Sequence, residues 1–327
     1  MSVLVTGGAG YIGSHMVWSL IDRGEDVVVL DDLSTGSRAL VAQKAHFIEG
    51  DAGDTVLVRK LIADHAVDSV IHFAGSIVVP ESVERPLAYY ANNAMVARDL
   101  IEACVEGAVR NFIFSSTATV YAGESAGPLN ETVPTGPISP YGRSKLMVEW
   151  MLEDTARAHD FRAIVLRYFN VAGADPKGRT GQSTPRATHL IKRACQVALG
   201  RVPHLDIFGT DYPTPDGTGV RDYIHVSDLV AAHGLALDHL RRGGAPSVMN
   251  CGYGHGSSVR EVVASVERVT GRKLSVRERA RRPGDPPWLI ADPRRIRETL
   301  GWTPEHDDLD EIVRTAYAWE SRLNSAG

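Results

Sequence analysis

Val3-Leu-Val-Thr-Gly-Gly-Ala-Gly-Tyr-Ile-Gly13 decides how the rest of the chain is read. A β-branched run ends at Thr6, glycines follow at 7, 8, 10 and 13, and a helical pattern opens near residue 12. Glycines at such a junction let the chain turn tightly. They also let its backbone approach a pyrophosphate, whose charge then rests on the helix N-terminus. A glycine turn by itself is an ordinary strand–helix connection. Asp31 adds to it, because it follows the second apolar run, Val27-Val-Val-Leu30. A carboxylate there hydrogen-bonds an adenosine ribose and repels a 2′-phosphate, which favours NAD over NADP.

Outward from this loop, His46-Phe-Ile48, Ser69-Val-Ile-His72, Phe112-Ile-Phe114 and Ala163-Ile-Val-Leu166 are apolar runs of strand length. They are apolar on both faces, as parallel strands covered by helices must be. Helical patterns lie between them near 12–23, 55–64, 81–106 and 141–158. Repeated strand–helix units with right-handed crossovers predict an α/β fold with a doubly wound, Rossmann-like parallel sheet. After residue 168 the pattern loosens. Asp175–Arg186 and Asp211–Gly219 read as loops, helices are expected near 188–199, 227–242, 258–269 and 308–324, and Val248-Met-Asn250 is expected to return a strand to the sheet. The expected division is a nucleotide-binding domain over 1–168 plus about 221–250. A smaller C-terminal α/β substrate domain would take about 169–220 plus 251–327.

Composition narrows the classes. The 327 residues are 43% hydrophobic with a net charge of −5, near the globular average, so a collagen or a wholly disordered chain is excluded. A mildly acidic chain has no global attraction for nucleic acid or anionic membranes, and neither partner is expected. Cys104, Cys195 and Cys251 form no CxxC pair, and the histidines form no HExxH pair, so no metal site is expected. No basic leader precedes the strand that starts at Ser2, and no apolar run reaches membrane length, so a soluble, cytoplasmic protein is expected.

Tyr141-Gly-Arg-Ser-Lys145 places a phenol and an amine four apart at a helix start, on one face. A phenol ionises near pH 10, too high for a base at neutrality. A nearby ammonium and a cationic nicotinamide ring are expected to lower that value. Thr117, in Ser115-Ser116-Thr117 after the strand ending at Phe114, is positioned to bridge Tyr141 and a substrate.

The glycine loop, the Tyr141/Lys145 pair and Thr117 together resemble the short-chain dehydrogenase/reductase superfamily in its extended form. Further segments resemble its UDP-glucose 4-epimerase branch: Thr6–His15, His72–Gly75, Tyr89–Asn93, Ser115–Tyr121, Ser139–Lys145, Leu166–Asn170, Phe208-Gly209, Asp216–Val226 and Arg281–Asp285. The resemblance runs from Val3 to about Arg322. It implies a bound NAD that is not consumed and a UDP-sugar substrate oxidised at C4, turned over and reduced again. It also implies a homodimer and a place in galactose metabolism. Tyr141 would be the base, Lys145 its partner, and Thr117 the third catalytic residue. By the same resemblance, Gly7, Gly10, Tyr11, Ile12, Gly13 and Asp31 would hold NAD, with Asp51 and Ala52 at the adenine. Phe73, Ala74, Gly75 and Asn92 would follow the diphosphate side, and Ser115 and Tyr168 would complete the cofactor set with Tyr141 and Lys145. Arg221 and Arg282 would grip the substrate diphosphate, Asn170 would hold a phosphate or a sugar hydroxyl, Phe208 would lie in the uridine pocket, and His189, Leu190 and Asp285 would complete the substrate set. Plain alternatives stand beside these: a solvated face for Arg277–Arg282, and packing or capping for Asn92. His225 fits a structural role better than a chemical one.

Two absences discriminate further. Related dehydratases carry an acid pair just after the threonine, and related decarboxylases a glutamate in that segment. Between Ser115 and Tyr121 this sequence has no carboxylate, so re-reduction is the simple fate of a 4-keto sugar. Three positions depart from the family pattern. Ile77 replaces a lysine that contacts the cofactor, which implies looser NAD. His189 stands where asparagine is frequent. Leu289 falls near the position whose bulk gates N-acetylated sugars and leaves acetamido substrates open, and a 4-epimerase of another UDP-sugar (an N-acetylhexosamine, a pentose or a uronic acid) is the alternative within the enzyme class. A non-catalytic NAD-binding protein and a net reductase are the readings from other classes.

Overall fold

The computed structural model describes residues 1–122, 127–184, 188–282 and 284–323. Pro283 of the Arg281–Asp285 motif, residues 185 and 186 of the expected loop and residue 324 of the expected last helix lie outside them.

Strand β1 (Ser2–Thr6) is buried along its whole length, and α1 (Tyr11–Asp22) follows the glycine turn. β2 (Asp26–Asp31) and β3 (His46–Glu49) extend the sheet in one direction. Asp54 caps α2 (Thr55–His65) by accepting from the N–H groups of Val56 and Leu57, and the chain re-enters the sheet as β4 (Val67–His72). Then come α3 (Val79–Glu84), α4 (Pro86–Tyr89), a π-helical turn (Tyr90–Met95) and α5 (Val96–Glu106). β5 (Asn111–Thr117), α6 (Pro140–Ala158) and β6 (Arg162–Tyr168) complete the first half.

In the second half β7 (Asn170–Ala172), α7 (Leu190–Ala198), β8 (Leu205–Phe208), β9 (Val220–Arg221) and β10 (Tyr223–His225) lead into α8 (Val226–Arg241). β11 (Ser247–Cys251) joins β6 in parallel, as Val248–Asn250 promised. β12 (Ser257–Ser258), α9 (Val259–Thr270), β13 (Val276–Arg279), β14 (Trp288–Leu289), α10 (Arg294–Leu300) and α11 (Leu309–Arg322) follow.

Among the described residues seven strands form one parallel sheet in the order β11-β6-β5-β4-β1-β2-β3. The order reverses between β1 and β4, and a crevice opens at the carboxyl ends of such a switch point. Small two- and three-stranded sheets, β7–β10, β12–β9–β14 and β8–β13, build the C-terminal region beyond those ends. One buried cluster joins Val3, Met16 and Ile71 to Cys195, Leu205, Val262 and Ile312, so the C-terminal segments pack continuously onto the sheet.

The helix expected over 81–106 is broken. Pro86 takes the first position of α4, and Arg85 before it lies outside the helical region (φ −130°, ψ 58°). Proline disfavours helical geometry in the residue that precedes it. The π-helical turn then shifts the register of the residues that follow.

Candidate active site

Backbone geometry at the switch point fits a dinucleotide. Gly7 has a left-handed φ of +71°, and a Cβ on it would lie 2.5 Å from the Ala74 nitrogen. A Cβ on Gly13 would lie 2.1 Å from the Gly7 carbonyl oxygen. Gly10 is the N-cap of α1, and no side chain caps this helix. Its first-turn N–H groups, on Tyr11, Ile12 and Gly13, therefore face the same end of the sheet as the glycine turn, the arrangement that favours a diphosphate. The Tyr11 hydroxyl is turned away and donates to the Gly173 carbonyl (2.7 Å). Asp31 is buried at the end of β2, where Oδ2 accepts from Ala9 N–H (2.8 Å) and Oδ1 from Leu33 N–H (2.9 Å). Burial pushes its carboxyl above the usual range against those two bonds. Asp31 thus shapes the loop itself and retains lone pairs for a ribose hydroxyl. Ala52 is buried, whereas Asp51 is exposed and accepts from Gly53 N–H (2.8 Å).

β4 delivers Phe73, Ala74 and Gly75 beside the glycine turn: Phe73 N–H donates to the Thr6 carbonyl (3.0 Å). Of the Asn92-Asn93 pair, the exposed Asn92 donates to Ser76 Oγ (2.9 Å). The buried neighbour Asn93 accepts from Ser76 N–H (2.7 Å), donates to Ser144 Oγ (3.0 Å) and approaches Gly75 beside Lys145. The sequence motif singles out Asn92, whereas Asn93 is the one of the pair that faces inward. The π-helical turn decides which of two adjacent asparagines faces inward, and no pattern in the sequence marks it.

Ser139 caps α6 by accepting from Gly142 N–H (3.1 Å), which starts the helix so that Tyr141 and Lys145 share a face. β5 ends at Thr117, whose hydroxyl pairs with the Thr119 hydroxyl (3.1 Å) and accepts from Thr119 N–H (3.2 Å) while lying close enough to the Tyr141 phenol to favour its ionised form. Lys145 is buried, donates from Nζ to the Ser115 carbonyl (3.0 Å) and lies over the Phe114 ring (4.9 Å). Tyr168 is buried at the end of β6, with its hydroxyl 3.5 Å from His233 Nε2. The expected lowering of the Tyr141 pKa is not what the protein's own field produces. Burial pushes Tyr141 up to about 12, opposed by the Thr117 hydroxyl. Burial also brings Lys145 down to about 8, opposed by the Glu149 carboxylate. The amine is turned to a backbone carbonyl, so desolvation outweighs charge at the phenol.

The proposed substrate groups lie on the small sheets. Asn170 opens β7, and its N–H donates to the Asp222 carbonyl (2.9 Å). His189 N-caps α7 with Nδ1 2.8 Å from the Gln182 amide nitrogen, and Leu190 follows as the first residue of that helix. Arg221 pairs with Asp285 (2.9 Å), and Leu289 sits opposite Arg221 in β14. The Arg282 guanidinium stacks on the Phe208 ring (3.9 Å). The 277–282 run is exposed where β13 forms a sheet edge, yet Arg282 folds back onto β8. Ile77 is 46% exposed. His225 caps α8 by accepting from Ser227 N–H (3.0 Å) and packs on His306, the structural place expected for it.

Among the described residues no metal-binding cluster is present and no helix is long and apolar enough to cross a membrane. The model of the NAD dependent epimerase/dehydratase family matches residues 3–252. A UDP-glucose 4-epimerase of Azospirillum brasilense is 58% identical over 99% of this chain and 93% of its own. The UDP-glucose 4-epimerase of Brucella ovis, solved in complex with NAD, superposes with a TM-score of 0.95 at 46% identity, covering 98% of both chains. A UDP-glucose-4-epimerase of Stenotrophomonas maltophila, solved with NAD and formylated UDP-arabinopyranose, superposes at 0.97 with 38% identity over 100% of both chains. With the glycine turn, Thr117 at the end of β5, Tyr141 and Lys145 on α6 and these matches together, this chain belongs to the NAD-dependent epimerase/dehydratase family.

Proposed function

We propose that this protein interconverts UDP-galactose and UDP-glucose at C4 with one bound NAD. A single observation carries most of that reading: the Thr117 hydroxyl acts on the Tyr141 phenol, one helical turn before the buried Lys145 at the strand ends, with no carboxylate between Ser115 and Tyr121 to divert a keto sugar. The named relatives support the substrate and cofactor. The backbone around Gly7, Gly10 and Gly13 and the Asp31 carboxylate hold the dinucleotide, with Phe73–Gly75 and Asn93 on its other side.

When bound, NAD would supply a hydride acceptor and donor for C4. Tyr141, as phenolate, takes the 4-hydroxyl proton and gives it back to O4 as the rotated keto sugar is reduced from its opposite face, and Thr117 keeps the phenol aimed at that oxygen. Lys145 supplies the positive charge that balances the phenolate. Arg221 leaves Asp285 to meet the diphosphate, joined by Arg282 on Phe208, while Asn170, His189 and Leu190 wall the sugar. Firm hold on the diphosphate and few polar contacts to the hexose let the keto sugar rotate.

The deciding assay mixes UDP-galactose with the purified protein, with and without added NAD. UDP-glucose should form to equilibrium without net NADH, and added NAD should raise the rate if the missing lysine at Ile77 loosens the cofactor. Conversion of a UDP-pentose with UDP-galactose untouched, or stoichiometric NADH release, would overturn the reading.

The protein acts as a homodimer in the cytoplasm. Three buried free cysteines are suited to a reducing compartment. Val83, Leu87 and Met95 on the 79–95 segment and Met147 and Trp150 on α6 are large apolar side chains left exposed, 80% in the case of Leu87. These helices pack against each other, and their outer faces suit a second copy. Leu87→Glu with Trp150→Glu should halve the mass seen by light scattering. A parent protein that already runs as a monomer would refute the dimer.

A further inference from the structure

Glu149 and Arg167 form a buried ion pair that the proposed mechanism does not use. Both are nearly inaccessible, 5% and 6% exposed. Arg167 Nη2 donates to Glu149 Oε2 (2.5 Å), and its Nε reaches both carboxylate oxygens (3.1 and 3.2 Å). The Ser116 hydroxyl donates to Oε1, and the Arg167 guanidinium lies over the Tyr121 ring (4.9 Å). Burying two charges costs several kcal/mol each before their attraction is counted, and apolar residues of similar volume often serve stability as well. Position suggests another use. Glu149 is one helical turn after Lys145 on α6, and Ser116 lies between the Ser115 carbonyl that holds Lys145 and Thr117.

We propose that Glu149 is a positioning residue: one helical turn after Lys145 and clamped by Arg167 and Ser116, it fixes the turn of α6 that carries Lys145 against the strand end that carries Thr117. The inference rests on the epimerase reading for its consequence in turnover. Charge count supports it. Lys145, Glu149 and Arg167 carry one positive charge in excess, and ionisation of Tyr141 makes the buried group neutral. The other groups facing Lys145 add no charge at neutral pH. His72 on β4 is held neutral by burial and by Lys145 itself, at about 3. Asn93 is an amide, and Tyr168 on β6, with His233 of α8 behind it, is kept protonated by burial. Tyr121 touches Arg167 on the far side and donates to Asn250 Oδ1 (2.6 Å). Glu149 is therefore the anion that opposes desolvation of Lys145, whose amine sits near 8.

The chain has six lysines, which makes the test direct. Full-length protein labelled at lysine Cε with ¹³C is titrated by NMR, with Lys145→Met identifying the resonance, and turnover is followed over the same pH range. Glu149→Gln should lower the Lys145 midpoint by about one pH unit, a tenfold change in the protonated fraction. The alkaline limb of turnover should move down with it, and Glu149→Asp should restore part of both. Because Glu149→Gln leaves Arg167 unpaired and can unfold the chain, Glu149→Gln with Arg167→Met provides a variant without the unpaired charge, in which a smaller drop in the same direction is expected. A Lys145 midpoint unchanged in whichever of these variants keeps the parent circular dichroism overturns the proposal. A parent without epimerase activity would instead sink the functional reading, and the NMR midpoint would still decide the role of Glu149.

Discussion

Tyr141→Phe is expected to cut UDP-galactose turnover by about 10³-fold, within the 10²–10⁴ range that a positioned acid–base group supplies. Binding of UDP should stay within about twofold, because the diphosphate groups Arg221 and Arg282 lie on other elements. The fold should tolerate the change. The ring remains, and only the phenol oxygen beside the Thr117 hydroxyl is lost. A phenol that burial pushes to about 12 is a poor base in the isolated chain. Turnover at neutral pH therefore requires that the positive charge of Lys145 and of the bound cofactor act on the phenol only once the site is assembled. Parent activity should accordingly fall below neutrality as Tyr141 is held protonated, and fall above about pH 8 as Lys145 loses its proton. The variant should show no such acid limb in its residual activity. Calorimetry, UDP titration and a coupled turnover assay on the same preparation separate these effects. Turnover within tenfold of the parent would remove Tyr141 from the base position.

What was legible beforehand follows from length and burial. Val27–Leu30 and Ala163–Leu166 could be read as strands because parallel strands covered on both faces are continuous apolar runs. Val248–Asn250 was found for the same reason. The two- and three-residue strands β9, β10, β12 and β14 are too short to show a period, and they are fixed by pairing with distant segments. α10 escaped notice because only Ile296 is buried in an otherwise polar stretch. At the site, Tyr141 and Lys145 were legible through helical spacing, and Thr117 through its place after a strand. Asn93 was not, since a local π turn chooses it over Asn92. Glu149 and Arg167 meet only because α6 packs on β6. Their sequence traces are faint: a glutamate four residues after Lys145 and an arginine inside an apolar strand. Spacing reveals a neighbouring amine and says nothing of desolvation, which in the chain alone pushes the Tyr141 phenol up.

Gly13→Ala is the second large effect, and it sets helix propensity against close packing. Alanine is favoured over glycine inside a helix by about 1 kcal/mol, and Gly13 lies in the first turn of α1. Propensity alone therefore predicts a stabilised protein. The added Cβ, however, would lie 2.1 Å from the Gly7 carbonyl oxygen, 2.8 Å from its carbon and 2.9 Å from Gly8 Cα. These are backbone atoms with no rotamer to change. Gly7 has no room to retreat, because it is wedged at 2.5 Å from the Ala74 nitrogen by the same measure. The glycine turn and the start of α1 must separate, which misaims the N–H groups that hold the diphosphate. NAD per chain in the purified protein should drop at least about tenfold, the effect of losing roughly 1.4 kcal/mol of binding. Thermal stability should fall as well, by about the 1–3 kcal/mol typical of overpacking. Two companions grade the result. Gly10→Ala meets the Gly7 oxygen at 3.2 Å from an extended backbone (φ −78°, ψ 179°), so its loss of NAD should be small. Gly24→Ala has nothing within 4 Å but a φ of +80°, so it should cost stability alone and leave NAD content intact. Equal NAD content in Gly13→Ala and Gly24→Ala would mean that the glycine turn does not carry the dinucleotide.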